Sequence, residues 1–210
     1  MNYSLYINEF LILATALFLA LLSPGPDFAM ILKQSVSSGK RAAIFSSIGI
    51  GIGSSIHVVY TVLGIGLIIS KSIILFNIIK YLGAAYLIYL GYKSLKSKGI
   101  NLDVKKEKIE EMSDFKAFSM GFLCNALNPK ATLFFLSIFT VVVSIDTPMH
   151  VQAFYGIFCI LTAMIWFIGI SLILSHKKVK GFFNRFGVWF DRTIGIVLIA
   201  LGLKVALANN

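Results

Sequence analysis

Two stretches decide how this chain reads: Ala20-Leu21-Leu22-Ser23-Pro24-Gly25-Pro26-Asp27 and Asn125-Ala126-Leu127-Asn128-Pro129-Lys130. Each places proline inside a long apolar run. Proline has no N–H and clashes with the carbonyl four residues back. Pro24 therefore frees the carbonyl of Ala20, Pro26 that of Leu22 and Pro129 that of Asn125. In hydrocarbon a freed carbonyl needs a partner, so each break should face protein or a polar cavity. Ser-Pro and Asn-Pro also read as helix restarts, with Ser23 or Asn128 as N-cap and proline at the first helical position. A restart leaves free N–H groups and a partial positive charge, which suit an anion such as a carboxylate.

The two prolines are spaced by half the chain: 129 − 24 = 105, in 210 residues. Around them lie six apolar runs, at roughly 5–32, 42–70, 73–92, 117–145, 151–175 and 193–208. A spanning helix needs about 20 apolar residues. The pattern predicts an all-α, polytopic membrane protein of one domain, 1–210, with six transmembrane helices. Its halves, roughly 1–95 and 115–210, are joined by a charged loop. Three spans per half make the second half enter the membrane from the opposite side. That is a 3+3 inverted repeat with broken first and fourth helices, an arrangement that brings breaks together as a substrate site.

Composition agrees. The chain is 58% hydrophobic and only 13% charged, against about 25% charged in soluble domains. This excludes a soluble enzyme, a nucleic-acid-binding domain and a disordered chain. The net charge of +10 is then a topological signal. Loops one, three and five hold 15 Lys and Arg, and loops two and four hold one. By the positive-inside rule the basic loops are cytoplasmic and both termini lie outside. Residues 1–22 contain no Lys or Arg, so they lack the basic start of a signal peptide, and residues 5–22 read as part of the first span.

Asp27 and Lys130 follow the two breaks, and a charge at mid-membrane costs about 2.5–3.5 kcal/mol. A zwitterion fits between them, its carboxylate at Lys130 and the free N–H groups, its ammonium at Asp27. The other readings of Asp27 are that it only complements its half-helix or pairs with Lys130, and it is a candidate carrier of a coupling proton. Ser23, Asn125 and Asn128 are candidate substrate ligands at the same breaks. His57 fits a proton relay or a satisfied interior histidine. Tyr60, Tyr86 and Trp166 fit cavity lining or packing. Glu9, Lys80, Asp146 and Asp191 lie near span ends, where charges snorkel. Gly49 and Gly53 make a G-x-x-x-G step for close helix packing. Cys124 and Cys159 read as small packing residues. No motif for a metal or cofactor is present.

Ser23-Pro24-Gly25-Pro26-Asp27, the glycine-rich second span and Asn128-Pro129-Lys130 together resemble the LysE/RhtB family of amino-acid exporters. The resemblance covers essentially the whole chain. It implies a bacterial inner-membrane transporter, driven by the proton-motive force, that exports amino acids or close derivatives; a homodimer is compatible with so small a transporter. Asp27 as the one clear intramembrane acid favours a neutral or zwitterionic substrate. The alternatives are an intramembrane enzyme and a redox conduit, neither of which has a recognisable motif here. No G-x-x-x-x-G-K-[ST] loop is present for a primary pump.

Overall fold

The computed structural model describes residues 3–23, 25–97, 111–144, 146–173 and 177–207. Among them are eight helices and no strand: α1 (Tyr3–Leu22), α2 (Pro26–Ser37), α3 (Gly39–Lys71), α4 (Ile73–Leu95), α5 (Asp114–Ala126), α6 (Pro129–Val142), α7 (Met149–Ile173) and α8 (Lys177–Ala206). The helix breaks fall where proline requires them. α1 stops at Leu22 and α2 restarts at Pro26. α5 stops at Ala126 and α6 restarts at Pro129, bent from it by 54°. Pro24 lies outside the described residues, as does most of the basic segment between α4 and α5.

Six spans were expected. Three helices, α1, the Gly39–Gly64 part of α3 and α7, are long and apolar enough to cross a membrane, and α5 with α6 make a fourth as a bent pair. The expected run at 73–92 lies on α4, which carries Asn77, Lys80 and Lys93 among its apolar residues. The run at 193–208 is the end of a longer helix, α8, whose apolar part Gly195–Lys204 is shorter than a full crossing.

Glycines set the closest helix contacts. α3 packs along α5 and α7, and α4 along α8. A Cβ at Gly49 would collide with the Phe118 carbonyl, one at Gly121 with the Ser46 carbonyl, and one at Gly53 with the Phe122 carbonyl. The G-x-x-x-G step thus packs α3 on α5, as small residues do in lipid. Gly91 and Gly195 approach each other between α4 and α8 in the same way. Arg41 at the start of α3 holds both oxygens of Asp114 at the start of α5, at 2.9 and 2.7 Å. These two helix starts therefore share one end of the bundle.

Glu9 corrects an expectation. It does not snorkel outward; it is 3% exposed. Oε1 accepts from the Ser144 N–H at 2.8 Å, and the Thr147 hydroxyl lies 2.9 Å from both carboxylate oxygens. The Tyr155 hydroxyl lies 3.2 Å from Oε2. A buried carboxylate needs such donors, and the turn between α6 and α7 supplies them together with Tyr155 of α7. From Glu9 to Leu22, α1 has 22 − 9 + 1 = 14 residues, the same length as α6.

Candidate functional site

The two breaks meet, and each serves the other's charge. Asp27, in the first turn of α2, has a carboxylate oxygen that accepts from two amides of the second break. Asn125 Nδ2 donates to Oδ2 at 2.9 Å and Asn128 Nδ2 at 3.1 Å. The Cys124 thiol lies 3.6 Å from Oδ1. An acid at a helix N-terminus also complements the dipole. In the other direction, Lys130 Nζ donates to the Ser23 carbonyl at 3.1 Å and to its hydroxyl at 3.4 Å. Gly25 leaves room for this lysine, since a Cβ there would sit 3.2 Å from Nζ. A cation in the first turn of a helix opposes the dipole, and the Ser23 carbonyl and hydroxyl of the first break offset part of that cost for Lys130.

The two restarts are built differently. Asn128 caps α6 as expected: its Oδ1 accepts from the Lys130 N–H at 3.0 Å, with Pro129 following at the start of the helix. Ser23 does not cap α2, contrary to its reading from sequence. The second proline, Pro26, occupies the first helical position, so the cap moves to Gly25, which offers no side chain. Ser23 is left outside the helix with its carbonyl and hydroxyl turned to Lys130.

Asn125 neither caps the break nor stands open. Its Nδ2 holds Asp27, and its Oδ1 accepts from the Ser54 hydroxyl at 3.2 Å. Its carbonyl, which Pro129 deprives of a helical donor, accepts from the Asn128 N–H at 2.8 Å and from His57 Nε2 at 2.8 Å. His57 is fully buried, stacked on Phe135, and its Nδ1 meets the Tyr60 hydroxyl at 2.9 Å. A carbonyl has no proton to give, so Nε2 carries the hydrogen.

Two cavities adjoin the breaks. The smaller, about 60 Å³, is lined by Asp27, Asn125 and Ser54 together with Leu17, Phe134 and Phe167. It has room for a few waters, at roughly 10–15 Å³ of such volume each. The larger, about 590 Å³, is lined by Tyr86, Tyr89 and Lys93 of α4 and by Lys96 just past its end. That volume is within the ~300–1,000 Å³ of small-molecule sites. Ser23, Gly25, Pro26, Asn128 and Lys130 border both. The Lys130–Ser23 contact is thus part of the wall between them.

Sequence reasoning brought together Ser23, Asp27, Asn125, Asn128 and Lys130, and the structure joins them. His57 is joined to them through Asn125. Cys124, taken for packing, lies against Asp27; its spacing of four residues from Asn128, which also contacts Asp27, could have signalled it. Cys159 is buried in the apolar core. Ser54, one turn after Ile50 on the glycine-rich helix, was missed, because a lone serine in a span carries no signal. Tyr86 lines the larger cavity, and Trp166 packs edge-on against Phe18.

The chain is 33% identical to the Bacillus subtilis (strain 168) protein called uncharacterized membrane protein YrhP, over 88% of this chain and 92% of that one. It is 28% identical to the threonine efflux protein of Escherichia coli (strain K12), over 95% and 98%, and 29% identical to that of Salmonella typhi, over 90% and 93%. No solved structure matches. Residues 18–209 match the family described as LysE type translocator, and the chain belongs to that family, as a membrane transporter and not an enzyme.

Proposed function

We propose that this protein exports a neutral, zwitterionic amino acid of the threonine class across a bacterial inner membrane. The observation that carries the reading is the exchange at the breaks: an acid and a cation, each held by uncharged groups of the opposite break. A zwitterion supplies the complement of both. Its carboxylate competes with Ser23 for Lys130, and its ammonium competes with the Asn125 and Asn128 amides for Asp27. Engaging both ends means parting Lys130 from Ser23, which joins the two cavities. The relatives named threonine efflux proteins favour this substrate class.

In this reading the chain crosses six times as a 3+3 inverted repeat, with the basic loops in the cytoplasm and both termini outside. The matching lengths of the Glu9–Leu22 part of α1 and of α6 support breaks at a common depth. Coupling is to protons, with Asp27 and His57 as the candidate carriers, and a homodimer is compatible with so small a transporter.

The test is efflux of preloaded labelled threonine from cells. Asp27→Asn and Lys130→Gln should each reduce the rate at least about tenfold, since a contact made to a charged group typically contributes about 1.5–3 kcal/mol. Membrane abundance should be retained, and a protonophore should abolish wild-type efflux. Wild-type rates in both variants would refute the site. Failure of the wild type to move any amino acid would refute the substrate class.

A further inference from the structure

We infer that the larger cavity is the loading vestibule, that Lys93 on its wall is a binding residue for the substrate carboxylate, and that the vestibule selects against amino acids with a cationic side chain. The inference rests on the exporter reading and adds the order and selectivity of loading.

Charge distribution carries it. Three lysines, Lys93, Lys96 and Lys130, line the larger cavity, and among the described residues no Asp or Glu does. The Asp27 carboxylate lines only the smaller one, beyond Lys130. A zwitterion entering from the α4 side therefore meets cations first and the acid last, so it loads carboxylate foremost. Two of the lysines are already engaged. Lys130 donates to Ser23, and the Lys96 ammonium sits 4.5 Å over the Tyr92 ring. Lys93 has no hydrogen bond or ion pair among the described residues. It is exposed at the last turn of α4, where a cation is favoured by the helix dipole.

Size agrees with charge. Only the larger cavity admits an amino acid. Walls of one sign focus the field and raise the local concentration of the opposite charge. A second cationic group on the substrate meets three like charges and, among the described residues, no acid in the cavity wall. The field that collects carboxylates thus repels lysine and arginine.

The test uses everted membrane vesicles, in which export appears as uptake and the concentration at the cytoplasmic face is set by the experimenter. Lys93→Gln should raise the KM for threonine about two- to fivefold with kcat retained, the size expected for one partly screened charge. Lys93→Glu should raise it further and let excess unlabelled lysine inhibit threonine uptake, which it should not do in the wild type. Lys93→Arg should restore the wild-type KM. Lys33→Gln, a lost cation outside the cavity, should leave KM unchanged. If Lys93→Gln and Lys93→Glu keep the wild-type KM and the wild-type indifference to lysine, the vestibule assignment is wrong while the exporter reading stands. If wild-type vesicles take up no amino acid, the exporter reading fails and this inference with it.

Discussion

His57 Nε2 lies 2.8 Å from the Asn125 carbonyl, the oxygen whose helical donor Pro129 removes. A histidine on α3 thus takes up a bond that proline denies to α5 and α6. If that is its role, the two residues must be energetically coupled. His57→Ala should destabilise the detergent-solubilised protein by about 0.5–2 kcal/mol, the range for a hydrogen bond between membrane helices. In a Pro129→Ala background, where residue 129 regains an N–H for the same carbonyl, the cost should shrink. Thermal unfolding of the four variants gives the coupling. Equal costs in both backgrounds would mean that His57 acts elsewhere.

The α3–α5 contact leaves no space for a methyl group. Gly49→Ala and Gly121→Ala would each set a Cβ against a backbone carbonyl, which cannot rotate away. Forced overpacking typically costs about 1–3 kcal/mol. Both variants should lower membrane yield and the unfolding midpoint. Gly64→Ala and Gly169→Ala, where a Cβ meets nothing within 4 Å, should be neutral. A uniform loss at all four sites would implicate helix flexibility rather than close approach.

Orientation can be read by labelling. Lys40, beside the Arg41–Asp114 pair, should face the cytoplasm, and Met149, beyond the Glu9 cluster, should face outside. With Cys124→Ser and Cys159→Ala as background, an impermeant maleimide added to intact cells should modify Met149→Cys and spare Lys40→Cys. The reverse pattern would invert the topology.

What the sequence revealed follows the range of each interaction. Proline acts on its own helix, so the breaks at Pro26 and Pro129 and the Asn128 cap were legible. Glycine packing was legible too, because a spacing of four marks one helix face. Ser23 was misread because two nearby prolines compete for the restart, and only the folded backbone shows that Pro26 takes it. Glu9 was misread because its donors, Ser144, Thr147 and Tyr155, are more than 130 residues away in sequence. The partners of Asp27 were foreseen as neighbours, but not that the Asn125 and Asn128 amides would hold it. The crossings at α4 and α8 were less legible than those at α1 and α7, because α4 carries Asn77, Lys80 and Lys93 among its apolar residues and the apolar part of α8 is shorter than a full crossing.

The Glu9 cluster fixes more than a buried charge. It ties α1 to the end of α6, while Ser23, just past the last residue of α1, meets Lys130 at the beginning of α6. The antiparallel pair is pinned by rungs at both ends, so α1 works as a ruler. A residue inserted between Glu9 and Leu22 would turn one end by about 100° against the other and lengthen the span by about 1.5 Å. One rung would then have to open. The spacing from Glu9 to Ser23 is therefore a fixed dimension of this protein, whereas residues ahead of Glu9 can change in number without moving the break.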